Sequence, residues 1–203
     1  MKGNSRPKAA LAVLLAISLL ATGCTAQWIN VALADLPVLL QMALNIGSLV
    51  ATLQSGQQLS ASEAQAIQNI SAEASKDLNL LQTLYNQYQA NPTAGALQKI
   101  QSTVADISQN LPALLQAAHI GDPVLAARIA SGVNLILATV TSFAALIPQA
   151  PGMPSIRTAA AAPAGRKATI PQPQDLKKQW NQTVCGATGK GSLDSALSVC
   201  VLK

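Results

Sequence analysis

Apolar residues three and four apart recur through the middle of this 203-residue chain, and only an α-helix gathers such a pattern on one side. Ile67, Ile70, Ala74, Leu78, Leu81, Tyr85 and Tyr88 form one stripe. Leu97, Ile100, Val104, Ile107, Leu111 and Leu114 form a second, with the heptad spacing of a seam that packs on another helix. Ser60-Ala61-Ser62-Glu63 ahead of the first stripe has the form of a capping box. Between the stripes, Pro92 biases Asn91 away from helix and Thr93 is placed to cap the next one. A connection this short makes the two helices antiparallel neighbours.

Two similar segments frame this hairpin. Leu36-Pro37-Val38-Leu39-Leu40-Gln41-Met42-Ala43 matches Leu111-Pro112-Ala113-Leu114-Leu115-Gln116-Ala117-Ala118 at six of eight positions. Ile46-Gly47-Ser48 follows the first and Ile120-Gly121-Asp122 the second. Each reads as a proline that starts or bends a helix, an apolar face, then a glycine stop and a restart. An internal duplication and chance in a chain rich in Leu, Ala and Gln both account for the likeness. Asp122-Pro123 is a good helix start, with Asp as cap and Pro in the first turn.

Trp28–Leu53 and Ile129–Ile147 are long and apolar enough to raise a membrane-spanning reading. Ser131, Gly132, Asn134, Thr139, Thr141 and Ser142 interrupt the second, and Asp35, Pro37, Gln41 and Asn45 the first. Both are assigned to the core of a bundle, where a helix apolar all round belongs. Residues 24–147 are thus expected to form an all-α helical bundle of four or more helices, some of them Pro-kinked. Prolines 148, 151, 154, 163, 171 and 173 mark residues 148–174 as an extended connector. In residues 175–203, a helical turn is expected at Asp175–Trp180, a loop at Gly186–Gly191 and a short helix at Ser192–Leu202.

The N-terminus has another character. Lys2, Arg6 and Lys8 precede an apolar run from Ala9 to Leu20, broken only by Ser18 and too short to span a bilayer. Small residues and Cys24 follow. Leu19-Leu20-Ala21-Thr22-Gly23-Cys24 resembles the lipobox of bacterial lipoproteins, with Ala21 where Leu is usual three places before the cysteine. The resemblance covers residues 1–24 alone. It implies cleavage after Gly23, diacylglyceryl transfer to the Cys24 thiol and acylation of the new amino terminus. More than one acyl chain is what makes such an anchor stable, at about 0.8 kcal/mol for each buried methylene. The mature protein would then sit in the cell envelope, facing the periplasm or the exterior.

The chain has three cysteines, an odd number for an exported protein. With Cys24 lipidated, Cys185 and Cys200 remain as a pair in an oxidising compartment. A disulfide closing that short loop would add about 3 kcal/mol in the chain-entropy model. Neither cysteine belongs to a Cys-x-x-Cys motif, and no histidine lies near enough to complete a zinc site.

Three of the 13 basic residues lie in the leader, leaving ten against eight acids in residues 24–203. That balance argues against a nucleic-acid binder. The polar surface is written in Gln, Asn, Ser and Thr more than in charge, which is compatible with packing against neighbours. His119 is the only histidine and stands where a ring donor can satisfy the last carbonyls of a helix. The acids are scattered, and neither a phosphate-binding glycine loop nor a nucleophile elbow is present. No catalytic residue, metal ligand or cofactor is assigned. Two roles are open for Trp28, four residues beyond Cys24: a ring at the membrane interface, or the first residue of the core.

The expected function is therefore non-enzymatic: an envelope lipoprotein, held to a membrane by its lipid anchor, with a structural or protein-interaction role. The heptad seam and the Gln/Asn/Ser faces would supply a docking surface for an envelope protein, unless the seam is wholly internal. Two alternatives are a carrier or sensor of an apolar small molecule between helices, and a membrane-inserting, pore-type protein.

Overall fold

The computed structural model describes residues 6–55, 59–146 and 172–185, the side chains of residues 6–27, 52 and 54–55 excepted. Among these residues the chain forms five helices and no strand, an all-α fold. They are α1 (Arg6–Ser55), α2 (Ala61–Ala90), α3 (Ala94–Ala117), α4 (Pro123–Leu146) and α5 (Pro173–Thr183). α1 packs on α2 and α4, and α3 packs on the same two, so the first four helices close a ring. Asn30 and Ala43 of α1 bond to Gln89 and Ser71 of α2, so these two helices are antiparallel. Phe143 near the end of α4 meets Tyr85 near the end of α2, and the α3–α4 turn meets Glu63 at the start of α2, so α4 runs parallel to α2. The four helices are an up-down-up-down bundle.

Local chemistry sets the helix ends. The Glu63 amide donates to Ser60 Oγ at 3.2 Å, and the Ser60 amide donates back to Glu63 Oε2 at 2.9 Å, completing the capping box. Thr93 Oγ1 accepts from the Ala96 amide at 3.2 Å to start α3. Asp122 Oδ1 accepts from Val124 and Leu125, at 2.7 and 3.0 Å, to start α4. α3 closes at Ala117, and the left-handed residue beyond it is His119, φ 42°, instead of Gly121. The His119 Nδ1–H donates to the Ala117 carbonyl at 2.7 Å, the terminal role expected of it.

Two expectations about helix bounds require correction. α1 runs through Gly47 instead of stopping there, because that glycine faces Ser71 of α2 in the packed interior. Pro37 lies inside α1 and Pro112 inside α3, within helices as a bending proline would be, and not at their starts. Each proline leaves one carbonyl four residues back without its amide, and buried Leu36, Leu39 and Leu111 beside them offset that loss by packing. Lastly, the expected turn at Asp175–Trp180 is an 11-residue helix, and it docks on the bundle, lying on α1 and α4.

The core is continuous through the bundle. The first stripe, Ile67 to Tyr88, is buried throughout. The seam from Leu97 to Leu114 is also turned inward, with Ile100, Val104, Ile107 and Leu111 buried and only its two ends half-exposed, so it offers no docking surface. α4 is not the all-round buried helix the sequence led us to expect. Leu125, Ile129, Val133, Ile136, Val140 and Phe143 face the core, while Val124, Ala127, Asn134, Ala138 and Ala145 are exposed. The connector expected over residues 148–174 lies outside the described residues as far as Pro171, and so do Gly186–Gly191 and Ser192–Leu202.

Candidate functional site

Two features of this bundle exceed what stability requires: a carboxylate sealed in the core, and an uncharged face made by α1 and α4.

Asp35 is the only charged residue of α1 between Trp28 and Ser55. Its side chain is 0% exposed, and neither carboxylate oxygen has a hydrogen-bond partner among the described residues. Burial pushes the carboxyl up to about 6, because the low-dielectric interior penalises the ionised form. Asp35 lies two turns beyond Trp28 on the same stripe, and roughly a quarter-turn or more, at 100° per residue, round the helix from Ala43 and Gly47, which face α2. Other polar atoms of the interior are similarly unpartnered: Trp28 Nε1, Asn45 Nδ2, Tyr85 Oη and Trp180 Nε1. Buried polar atoms of this kind are usually satisfied, so several in one small core mark a place where stability was not the only constraint. Burial likewise raises the Tyr85 hydroxyl above its ordinary range.

Four of the five aromatic residues meet at one end of the bundle. Trp28 stands edge-on to Tyr85 with ring centroids 5.5 Å apart, and Tyr85 is edge-on to Phe143 at 6.5 Å. Tyr88 completes the group, 6.2 Å from Trp28. Trp28 is 7% exposed, so of its two expected roles it takes the core one, and the interface role is withdrawn. Its ring sits against α2 because Trp28 shares a helix face with Ala32, Leu39 and Ala43.

The uncharged face is built by the two most apolar helices. On α1 the exposed positions are Asn30, Ala34, Pro37, Gln41, Leu44 and Ala51, with Leu44 49% exposed. On α4, Val124 is 50% exposed and no charged residue follows Arg128. Both helices are long and apolar enough to cross a membrane by length and composition, and in this fold each buries one side in the bundle. Charge gathers on the opposite pair instead. α2 carries Glu73 and Lys76, paired at 3.0 Å, and α3 carries Lys99 and Asp106. Asp77 is buried between these helices and its carboxyl is raised, by burial first and then by Glu73, with Lys76 opposing and Asp106 adding to the rise.

α5 lies on the uncharged pair. Leu176, Trp180 and Val184, four residues apart, are all buried. Gly132 of α4 makes room for the indole, since a Cβ there would stand 3.0 Å from Trp180 Cζ3 and 3.2 Å from Cη2.

The other expected site residues are only partly placed. Cys24 falls within the backbone of α1, and its side chain lies outside the described residues. Cys185 is half-buried just beyond α5, its Sγ 3.9 Å from Asn181 Oδ1. Cys200, and with it the expected bridge, lies outside the described residues. No group of three His, Cys, Asp or Glu side chains within reach of one metal ion occurs among the described residues. Sequence reasoning passed over Asp35, Gly132 and Trp180. A visible signal existed for the first, a lone acid inside an otherwise uncharged helix. Compared with known proteins, the chain matches no family model, no curated protein and no solved structure.

Proposed function

We propose that this protein is a non-enzymatic lipoprotein of a bacterial envelope, anchored through Cys24, whose bundle acts by docking other protein surfaces. The observation that carries the reading is the division of charge around the bundle. The outward positions of α1 from Trp28 to Ala51, and of α4 beyond Arg128, bear no charged side chain, whereas α2 and α3 are polar and charged, and the charges on that side are those of α5, Asp175, Lys177 and Lys178. An uncharged surface of small and amide side chains escapes the far larger cost of desolvating ions and is not repelled by a like neighbour, so it suits association where its amides find partners. The anchor and the surface also share a helix, since Cys24 precedes Trp28 by one turn of α1. An acylated Cys24 therefore holds the α1 face close to the membrane and concentrates the protein in two dimensions.

The test is the intact non-reducing mass of protein extracted from bacterial membranes, beside a Cys24→Ser variant. A chain that starts at Cys24, heavier by its acyl groups, supports the anchor. Loss of two hydrogens would support the Cys185–Cys200 bridge. The variant should leave the membrane fraction. An unmodified mass, or a first residue downstream of Cys24, would overturn the lipoprotein reading.

A further inference from the structure

We propose that the groove between α1 and α4 is a helix-acceptor site that takes α5 of a second copy of this chain in exchange for its own. The groove is distinct from the exposed α1 and α4 positions of the interaction reading above, and the proposal rests on that reading only for the crowding that anchoring brings. α5 resembles a bound ligand more than a bundle member. It turns an apolar stripe, Leu176, Trp180 and Val184, into the groove, and its outward positions Gln174, Asp175, Lys178, Gln179 and Gln182 are polar and exposed. Gln172 makes no side-chain capping bond, and 11 residues are too few for a stable isolated helix, so α5 is helical because the groove receives it.

The groove has a built receptor for that stripe. At Gly132, α4 lacks the atom that would press on the indole, and Val184 packs against the same spot, its Cγ2 3.5 Å from where a Cβ would stand. Trp180 fills the notch completely, at 0% exposed.

Residues 147–172 separate α4 from α5, 26 residues whose contour length is at most roughly 85 Å. The 30-residue α2 is about 45 Å long. The tether is therefore long enough for α5 to reach the groove of a neighbouring molecule. There it makes the same contacts as in its own, because the groove and the stripe are identical. Exchange then depends on effective concentration alone, and a crowded membrane surface raises the intermolecular share. Reciprocal exchange closes a two-fold dimer, and onward exchange links a chain of molecules.

Complementation of two full-length variants in mild detergent tests this. Trp180→Ala leaves an empty groove and an α5 unable to fill any. Gly132→Leu blocks the notch and leaves its own α5 without a seat. Each alone should sediment at the mass of one chain. Their equimolar mixture should move to the mass of two, since the intact α5 of one enters the open groove of the other. A mixture that stays at one-chain mass, with both variants as helical as the wild type, overturns the proposal. Should either variant lose its helical signal, a fluorescent peptide of residues 172–185 carrying Cys185→Ser is titrated with a full-length Leu176→Ala/Val184→Ala variant, whose own α5 no longer holds the groove. Saturable binding that disappears when the peptide carries Trp180→Ala supports the acceptor site; absence of such binding overturns it. None of these results bears on whether Cys24 is acylated, so the two readings fail separately.

Discussion

A Cβ on Gly47 would stand 2.5 Å from the Ser71 hydroxyl, which donates a 2.7 Å hydrogen bond to the Ala43 carbonyl one turn earlier on the same helix. α1 and α2 therefore meet backbone to side chain at this level, and the glycine is a contact residue in mid-helix.

Alanine at Gly47 ordinarily gains about 1 kcal/mol from helix propensity. Here the added methyl must drive Ser71 off its bond, and overpacking of this kind costs typically 1–3 kcal/mol. Gly47→Ala is expected to destabilise the protein by about 1 kcal/mol or more, read by urea unfolding. Gly95, with nothing within 4 Å of its missing Cβ, is the contrast: Gly95→Ala should stabilise by about 0.5–1 kcal/mol.

Asp35 ties stability to pH in the opposite sense from most acids. Its carboxyl is raised in the folded protein from 3.8 to about 6. Well below pH 3.8 it is protonated folded or unfolded and carries no penalty. As pH rises from 4 to 6 the unfolded chain ionises first, and folding becomes less favourable. Asp35→Asn mimics the neutral acid at all pH values. Its advantage over the wild type should be near zero at about pH 3 and grow to about 3 kcal/mol by pH 7. A difference independent of pH would refute the burial argument.

Glu63 behaves the other way. Bonds from the Ser60 hydroxyl, the Gly121 amide and the Ser60 amide hold its carboxyl down to about 2. The stability it contributes is present above pH 4.5 and is lost as pH falls toward 2. Glu63→Gln should flatten acid unfolding in that range. Ser60→Ala, which removes the cap itself, should cost about 1 kcal/mol at neutral pH.

Tyr85 separates packing from polarity in the aromatic group. Its hydroxyl is buried without a partner, so Tyr85→Phe should be neutral or stabilising by up to about 1 kcal/mol. Tyr85→Ala removes the ring between Trp28 and Phe143 and should cost about 3–5 kcal/mol. Thermal melts of the two variants give the comparison.

Elements whose signals are local were legible in the sequence. The spacing of Ile67 to Tyr88 and of Leu97 to Leu114 predicted two helices and the sides they bury. Ser60, Thr93 and Asp122 marked three helix starts, because a cap is a bond between residues two or three apart. Composition pointed to an all-α bundle, since a chain with such periodicity has no other way to bury its stripes. What the tertiary structure alone decided involves partners far along the chain. Gly47 reads as a stop until Ser71 is beside it. Trp28 reads equally well at a membrane or in a core until Tyr85 and Tyr88 enclose it. Asp35 reads as one scattered acid until the packing of other helices strips its water away. Trp180 is a lone aromatic in a polar segment until Gly132, 48 positions earlier, is found to receive it. Periodicity determines which face of a helix is apolar; only packing determines which helix covers it, because burial and desolvation arise from residues that sequence distance keeps apart.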